Sequence, residues 1–524
     1  MARTLHLRFP AAGVVRRLGY RDAADLRPPF PAPWAVNVRP EDQAAKRLRG
    51  GSRPGLTKYL ASAVGKSIAD MVSIQVATET ETKELLFVLT DAMLGIADGG
   101  TLSFPLGALT DESGNYIVTE AGDKILISTA VSDAPESAFL VVGTEYVYAI
   151  TATAVIQFDP KTGVIGNLEA SDGTVPTGCS VGAVYRDRLA LAADNALYLS
   201  RQGDFTDWDY GAHVDDTGRP VILQLAEAAE IGAEATALVP HRDGAMLAAT
   251  ARGLWLLRGD PADDGTLANL SRFVGIVSPR AWCKVDDLVY FLANDGLYAV
   301  GFSGEGPAPV SRDVVPDDLL GLGTGEIVMG YDHDGRGLCL YTDSRETGWF
   351  YSLEGKSFWP VLHASAHAPE AACRHEGKLL LACEDGYIRE VGGDGGEGGG
   401  DDGTAITSHL LLGPVRLWSQ DEFGRLNSMH GTLGADSADV TWRLVLGDTA
   451  EDAAEDAKTA VGLYDAGDAD YADYVFSSGT WEAGRARIVY PRCRAMWAVL
   501  WLQSSGEWAY EGVSMQTERS GRWR

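Results

Sequence analysis

GAVYRDRLALAADNALYLSRQGDFTDWDYG, residues 182–211, reads as two short strands joined by a tight turn at Ala193-Asp194-Asn195. A polar loop follows and ends in Asp207-Trp208-Asp209. Val184, Leu189, Leu191, Leu197 and Leu199 alternate with other residues, the period of two expected of a hairpin with one buried face. The same phrase returns along the chain, most clearly in HRDGAMLAATARGLWLLRGD (His241 to Asp260), KVDDLVYFLANDGLYAVG (Lys284 to Gly301) and RHEGKLLLACEDGYIREV (Arg374 to Val391). Each copy has a polar turn, a run ending in a small residue, a second turn and a Leu-rich or aromatic strand. Aligned on the first turn, they begin near Asp187, Asp243, Asp286 and Glu376. A looser copy starts at Tyr331, and two more lie upstream at Glu84 to Gly100 and Ala138 to Asp159.

Spacings fall mostly in the mid-forties, with a few stretched by insertions. A period of about 40–50 residues with several strands per unit is what a β-propeller blade requires. A single four-stranded sheet cannot hide both faces, whereas blades packed round a ring can. The expected fold is therefore all-β, a propeller of six or seven blades, with a large β-sandwich as the alternative. Residues 1–62 are expected to form a basic Pro/Arg-rich docking arm and 63–391 the propeller. Residues 392–403 (GGDGGEGGGDDG) read as a flexible Gly/Asp linker and 404–524 as a C-terminal, sandwich-like β domain. Arg258 to Trp282 reads as a long loop between strands. The best helical stretch is Thr449 to Leu463, Ala-rich and acidic at its start.

The chain has 524 residues, 61 of them glycine, and a net charge of −29. The first sixty residues carry twelve Lys/Arg and four Asp/Glu, a net +8, which leaves −37 for the rest. A body this acidic stays soluble and resists nonspecific nucleic-acid binding. In the basic opening, Arg16, Arg17, Arg47, Arg49 and Arg53 are the candidate docking residues, toward an adaptor or a neighbouring subunit. The arm also carries Leu5, Leu7, Phe9, Trp34, Val36 and Val38, which a merely solvating tail would avoid. On this reading, removing Met1 to Lys58 leaves a folded body. The six cysteines follow no spaced pattern and read as free core thiols. The start, MARTLHLRFP, lacks the apolar run of a leader, and Ala495 to Leu502 is too short to span a bilayer, so membrane insertion is not expected.

Candidate chemistry is sparse. Gly178-Cys179-Ser180-Val181-Gly182 matches G-x-S-x-G, but that elbow needs a helix after the serine, and a strand is expected here. His363, His367, Cys373 and His375 are the densest metal-capable cluster, at a spacing unlike the common zinc patterns. Asp332-His333-Asp334-Gly335 is a fragment of a calcium loop without its closing glutamate and reads as a turn. Pairs such as Asp207/Asp209 and Asp317/Asp318 are too common in so acidic a chain to mark a hydrolase. No catalytic residue, metal or cofactor is assigned. Trp282, Trp442, Trp497 and Trp501 are expected in cores.

The Arg/Pro/Gly-rich opening (NVRP at Asn37 to Pro40, then RLRGGSRPGL), YLSRQGDFTDWDYG, LWLLRGDPADDGTLANLSRFVGIVSPRAW and the ending WEAGRARIVYPRCRAMWAVLWL together resemble uncharacterised virion proteins of tailed phages. The layout is similar to the tail nozzle proteins, or tail tubular protein B, of short-tailed bacteriophages. The resemblance implies a structural subunit of the virion tail, assembled in the host cytoplasm into a ring, typically a homohexamer. It implies a tail adaptor protein above, tail fibres or spikes beside it, genomic DNA passing through at ejection, and no enzyme activity. Two rivals remain: a propeller that binds a surface glycan through Trp208, Tyr210 and Trp349, and a polysaccharide hydrolase with paired carboxylates.

Overall fold

The computed structural model describes residues 2–16, 19–20, 31–42, 46–77, 82–90, 94–98, 100–103, 107–108, 126–127, 139–143, 145–151, 153–161, 163–212, 215–225, 233–242, 244–315, 318–319, 327–342, 345–392, 400–419, 422–483 and 487–522. Val181–Tyr185 and Arg188–Ala193 pair antiparallel, and Ala196–Leu199 continues the meander. Arg186 and Asp187 between the first two strands hold φ of 50° and 56°. Such positive values are what a two-residue hairpin turn of the right twist demands. The hairpin differs from expectation in one respect: every residue of Arg188–Ala193 is buried. Ala190 and Ala192 pack to one side, against Met246 and Ala248. Leu189 and Leu191 pack to the other, against Tyr148 and Ile150. Both faces are covered because a similar sheet lies on each side.

Seven four-stranded antiparallel sheets recur in chain order among the described residues. Sheet 1 is Ile68–Ala77, Thr82–Thr90, Leu94–Asp98 and Thr101–Ser103. Sheet 2 is Phe139–Val142, Val147–Ile150, Val155–Phe158 and Ile165–Asn167. Sheet 3 adds Val221–Gln224 to the three strands above. Sheet 4 is Ala235–His241, Ala245–Thr250, Leu254–Arg258 and Thr266–Ser271. Sheet 5 is Trp282–Val285, Leu288–Ala293, Gly296–Gly301 and Ala308–Pro309. Sheet 6 is Val328–Asp332, Gly337–Tyr341, Thr347–Ser352 and Ser357–Leu362. Sheet 7 takes Pro369–His375, Lys378–Cys383 and Ile388–Val391, and its fourth strand is Leu56–Lys58, from the start of the chain. Part of the expected loop from Arg258 to Trp282 is thus the outer strand of sheet 4.

Each sheet shares an apolar cluster with the next. Phe87 and Leu89 of sheet 1 meet Val147, Ala149 and Phe158 of sheet 2. One large cluster runs on from Leu247 of sheet 4 through Phe291 and Leu340 to Leu381 of sheet 7. Sheet 7 returns to sheet 1, where Leu380 and Ala382 pack against Leu86 and Val88.

Beyond sheet 7 lie two further sheets. In one, Ala2–Leu7, Tyr510–Arg522 and Glu422–Leu433 pair in that order, with Arg487–Val489 and Cys493–Ala495 on the far side of Glu422–Leu433. In the other, Ala35–Val36, Ser408–Arg416, Trp497–Ser504, Val440–Gly447 and Ser477–Trp481 follow one another. Helix α1, Ala450–Asp465, covers the second sheet with an alanine face against Trp497 and Trp501. Thr449 caps it, its hydroxyl accepting from the Asp452 amide at 3.0 Å.

The opening residues correct the expected free arm. Ala2–Leu7, Ala35–Val36 and Leu56–Lys58 are each strands of three different sheets. Phe9 stacks on Trp359 of sheet 6 with ring centroids 5.2 Å apart and also meets Tyr510. Gly50 lets the chain pass beneath that ring, since a Cβ there would fall 1.9 Å from Phe9. The hydrophobes that argued against a solvating tail are spent on the chain itself.

Candidate functional site

The first strands of all seven sheets converge on one cavity of about 370 Å³. Asp70 and Arg280 face each other within it, the Arg280 Nε lying 3.8 Å from Asp70 Oδ1. The Met71 and Leu140 amides donate to the Asp70 carboxylate at 2.9 and 2.8 Å. Asp70 thereby ties sheet 1 to sheet 2 and reaches toward the approach to sheet 5. Burial pushes its carboxyl up, against the pull of Arg280 and the two amides. Trp282, expected in a core, is half-buried and lines this cavity. Neither Asp70 nor Arg280 is marked by any local motif.

A second polar cluster holds the seventh sheet shut. Arg53 is 3% exposed and donates both terminal nitrogens to Asp401, at 2.9 and 2.6 Å, and its Nε to Asn37 at 3.0 Å. Asp401 also accepts from the Leu56 amide at 3.0 Å. Asp402 accepts from the Lys58 amide at 3.1 Å and from Arg389 Nε at 2.8 Å, and its own amide donates to the Leu56 carbonyl at 2.7 Å. Arg389 is in turn gripped by Asp385 through both terminal nitrogens. The two acids at the end of the expected linker therefore clasp Leu56–Lys58 in place; residues 393–399 of that linker lie outside the described residues.

His363 completes the clasp. Arg53 Nη2 lies 3.3 Å from His363 Nδ1, and a guanidinium only donates, so Nδ1 accepts and Nε2 carries the proton toward the Tyr341 hydroxyl at 3.3 Å. Burial, then the Arg53 charge, push His363 down to about 4. The folded imidazole stays neutral where the unfolded one, near 6.5, takes up a proton. Its contribution is complete above that value and is lost as pH falls toward 4, a loss of roughly 3 kcal/mol. Burial opposes the ionised form of Asp401, but the paired Arg53 guanidinium holds its carboxyl well below the usual range, so it adds a further loss in stronger acid. Urea unfolding at pH 7 and 4.5 is expected to show a shallower acid loss in His363→Gln than in the wild type. Equal losses would contradict the assignment.

The expected docking arginines scatter. Arg53 is consumed in the clasp and cannot reach a neighbour. Arg49 pairs with Asp42 at 2.9 Å and with Glu511. Arg16 lies 3.3 Å from Asp318. Arg47 is exposed, and Arg17 lies outside the described residues. The metal candidates divide. His363 and His367 each stand 3.9 Å from Asp401. His375 bonds to Ser73 at 2.8 Å and Tyr59 at 2.9 Å, away from them. Among the described residues no three His, Cys, Asp or Glu side chains are grouped so that they could hold a metal ion. The Ser180 hydroxyl donates to the Ala235 carbonyl at 3.3 Å. Asp332 accepts from the Gly335 amide at 2.9 Å in a hairpin turn, and Asp260 meets Arg188 at 3.3 Å. Of the aromatics a glycan binder would present, Trp208 and Trp349 are 1% and 8% exposed. Asp317 lies outside the described residues.

No family model matches the chain, and no curated protein matches it. Among solved structures, the chain is similar to an extracellular domain from B. thetaiotaomicron at 13% identity and a TM-score of 0.43, over 64% of this chain and 40% of that one. It is similar to the computationally designed Ika8 protein at 13% identity and a TM-score of 0.37, over 64% of this chain and 99% of that one. A chain of the mitotic checkpoint complex matches at 12% identity and a TM-score of 0.35, over 65% of this chain and 92% of that one. The chain thus spans less than half of the first of these.

Proposed function

We propose that the seven sheets are the blades of one closed β-propeller, and that the chain is a non-catalytic structural subunit of a phage tail nozzle. Support for the propeller comes from the cavity lined by every first strand and from the apolar contacts that return from sheet 7 to sheet 1. Sheet 7, completed by a strand from the start of the chain, supplies the seam that a ring needs. The nozzle reading rests on the resemblance of the sequence stretches quoted above, and the first sixty residues join sheet 7 to the C-terminal sheets within one chain. Ala2–Leu7 pairs with Tyr510–Arg522 inside the C-terminal region, Ala2 opposite Glu518 and Leu7 opposite Val513.

DNA would not pass through the propeller itself. The major groove of duplex DNA alone is about 12 Å wide, and the cavity holds only about 370 Å³. A passage would lie between several copies, with the net acidic charge of the bodies around it working against a grip on phosphates. Purified protein or isolated tails, imaged by electron microscopy, are expected to show closed rings of several copies, typically six. A protein that stays monomeric in assembled tails would contradict the reading.

A further inference from the structure

We infer that a trough beside the first strand is a docking site for an extended acidic segment of a second polypeptide, added as a strand along Ala2–Leu7. The trough holds about 430 Å³ and runs between Arg3 to Arg8 on one wall and Leu412 to Arg416 on the other. Both walls are open strand edges. Ala2–Leu7 pairs with Tyr510–Arg522 on one side, and no strand among the described residues pairs on the other. On its outer side Ser408–Arg416 is met by Ala35–Val36 at His409 and Leu410, and the Leu411 amide donates to the Trp34 carbonyl at 3.0 Å, so the stretch without a strand partner there among the described residues is Leu412–Arg416. Unpaired backbone edges of this kind accept a further strand through main-chain hydrogen bonds, and side chains alongside set the specificity.

The charge of the trough names the occupant. In a chain of net charge −29, none of the described lining residues is acidic, while Arg3, Arg8 and Arg416 all line it. Arg3 and Arg8 are exposed and stand at the two ends of the strand. Arg416 lies over the Trp497 ring at 4.6 Å, and its buried Nε has no hydrogen-bond partner. Six residues of added strand reach about 20 Å, enough for carboxylates to meet the arginines at both ends. Nucleic acid is disfavoured, because its backbone would also face the acidic body around the trough. The inference does not depend on the nozzle reading, since it concerns the edge of a sheet in one chain.

The test uses the full chain and a short fluorescent peptide of alternating Glu and Val. Anisotropy is expected to show saturable binding that weakens with salt and falls at least about tenfold in Arg3→Glu/Arg8→Glu. These residues are exposed, so the fold is not at risk, and an unchanged melting curve serves as the control. Backbone amides of residues 2–7 are expected to gain protection from hydrogen exchange on binding. Absence of binding, or equal binding by the variant, would overturn the inference. So would tighter binding of an oligothymidylate through the same arginines, or self-association in sedimentation that the same variant abolishes.

Discussion

Deletion of residues 1–58 is expected to abolish cooperative folding rather than release a soluble body. Three sheets lose a strand, Ala2–Leu7, Ala35–Val36 and Leu56–Lys58. Asp401 loses Arg53, which leaves a buried charge unpaired, a cost of about 3–5 kcal/mol. Trp359 and Tyr510 lose the Phe9 ring between them, and removing a well-packed aromatic costs about the same again. Together these approach or exceed the whole stability of an ordinary domain, about 5–15 kcal/mol. Near-ultraviolet circular dichroism and size-exclusion chromatography of the truncated chain check this. A soluble product with a sharp melting transition would restore the separable arm.

Asp401→Asn is expected to destabilise the protein by about 3–5 kcal/mol. The substitution keeps the shape and removes the charge that faces Arg53, whose side chain is 3% exposed. The double variant Arg53→Met/Asp401→Leu is expected to recover much of that loss, because a buried ion pair contributes little net stability once both charges are gone. Denaturant unfolding of Arg53→Met, Asp401→Leu and the double forms a complete cycle. Near-neutral singles would mean that water reaches the clasp and that strand Leu56–Lys58 is held by its main-chain pairing alone.

How much of this was legible depends on the range of the interaction. The hairpin turns at Asp187, Asp286 and Glu376 fall between the first and second strands of sheets 3, 5 and 7, because positive-φ turns and period-two runs are local signals. Helix α1 was readable for the same reason, as the Ala-rich stretch from Thr449 to Leu463, and the structure adds Thr449 as its cap. Thr266–Ser271 was missed because an outer strand with a partly solvated face carries little apolar alternation. Leu56–Lys58 was missed because its partner, Ile388–Val391, lies more than three hundred residues further along the chain. The Arg-rich opening misled in an instructive way. Arginine next to proline and glycine looks like a tether when read locally, yet Arg53 and Arg49 are answered by acids far along the chain, Asp401 and Glu511. Asp70 and Arg280 are found only once the sheets have been brought round one cavity.

Cryo-electron microscopy of the purified chain, and of any particle that carries it, tests the central claim most directly. The expected images show several copies in a closed ring, each copy a seven-bladed wheel with the two C-terminal sheets attached, and the open passage running between copies. Isolated single copies that cleave or saturably bind a polysaccharide, or a passage bored through the seven-sheet body itself, would contradict it.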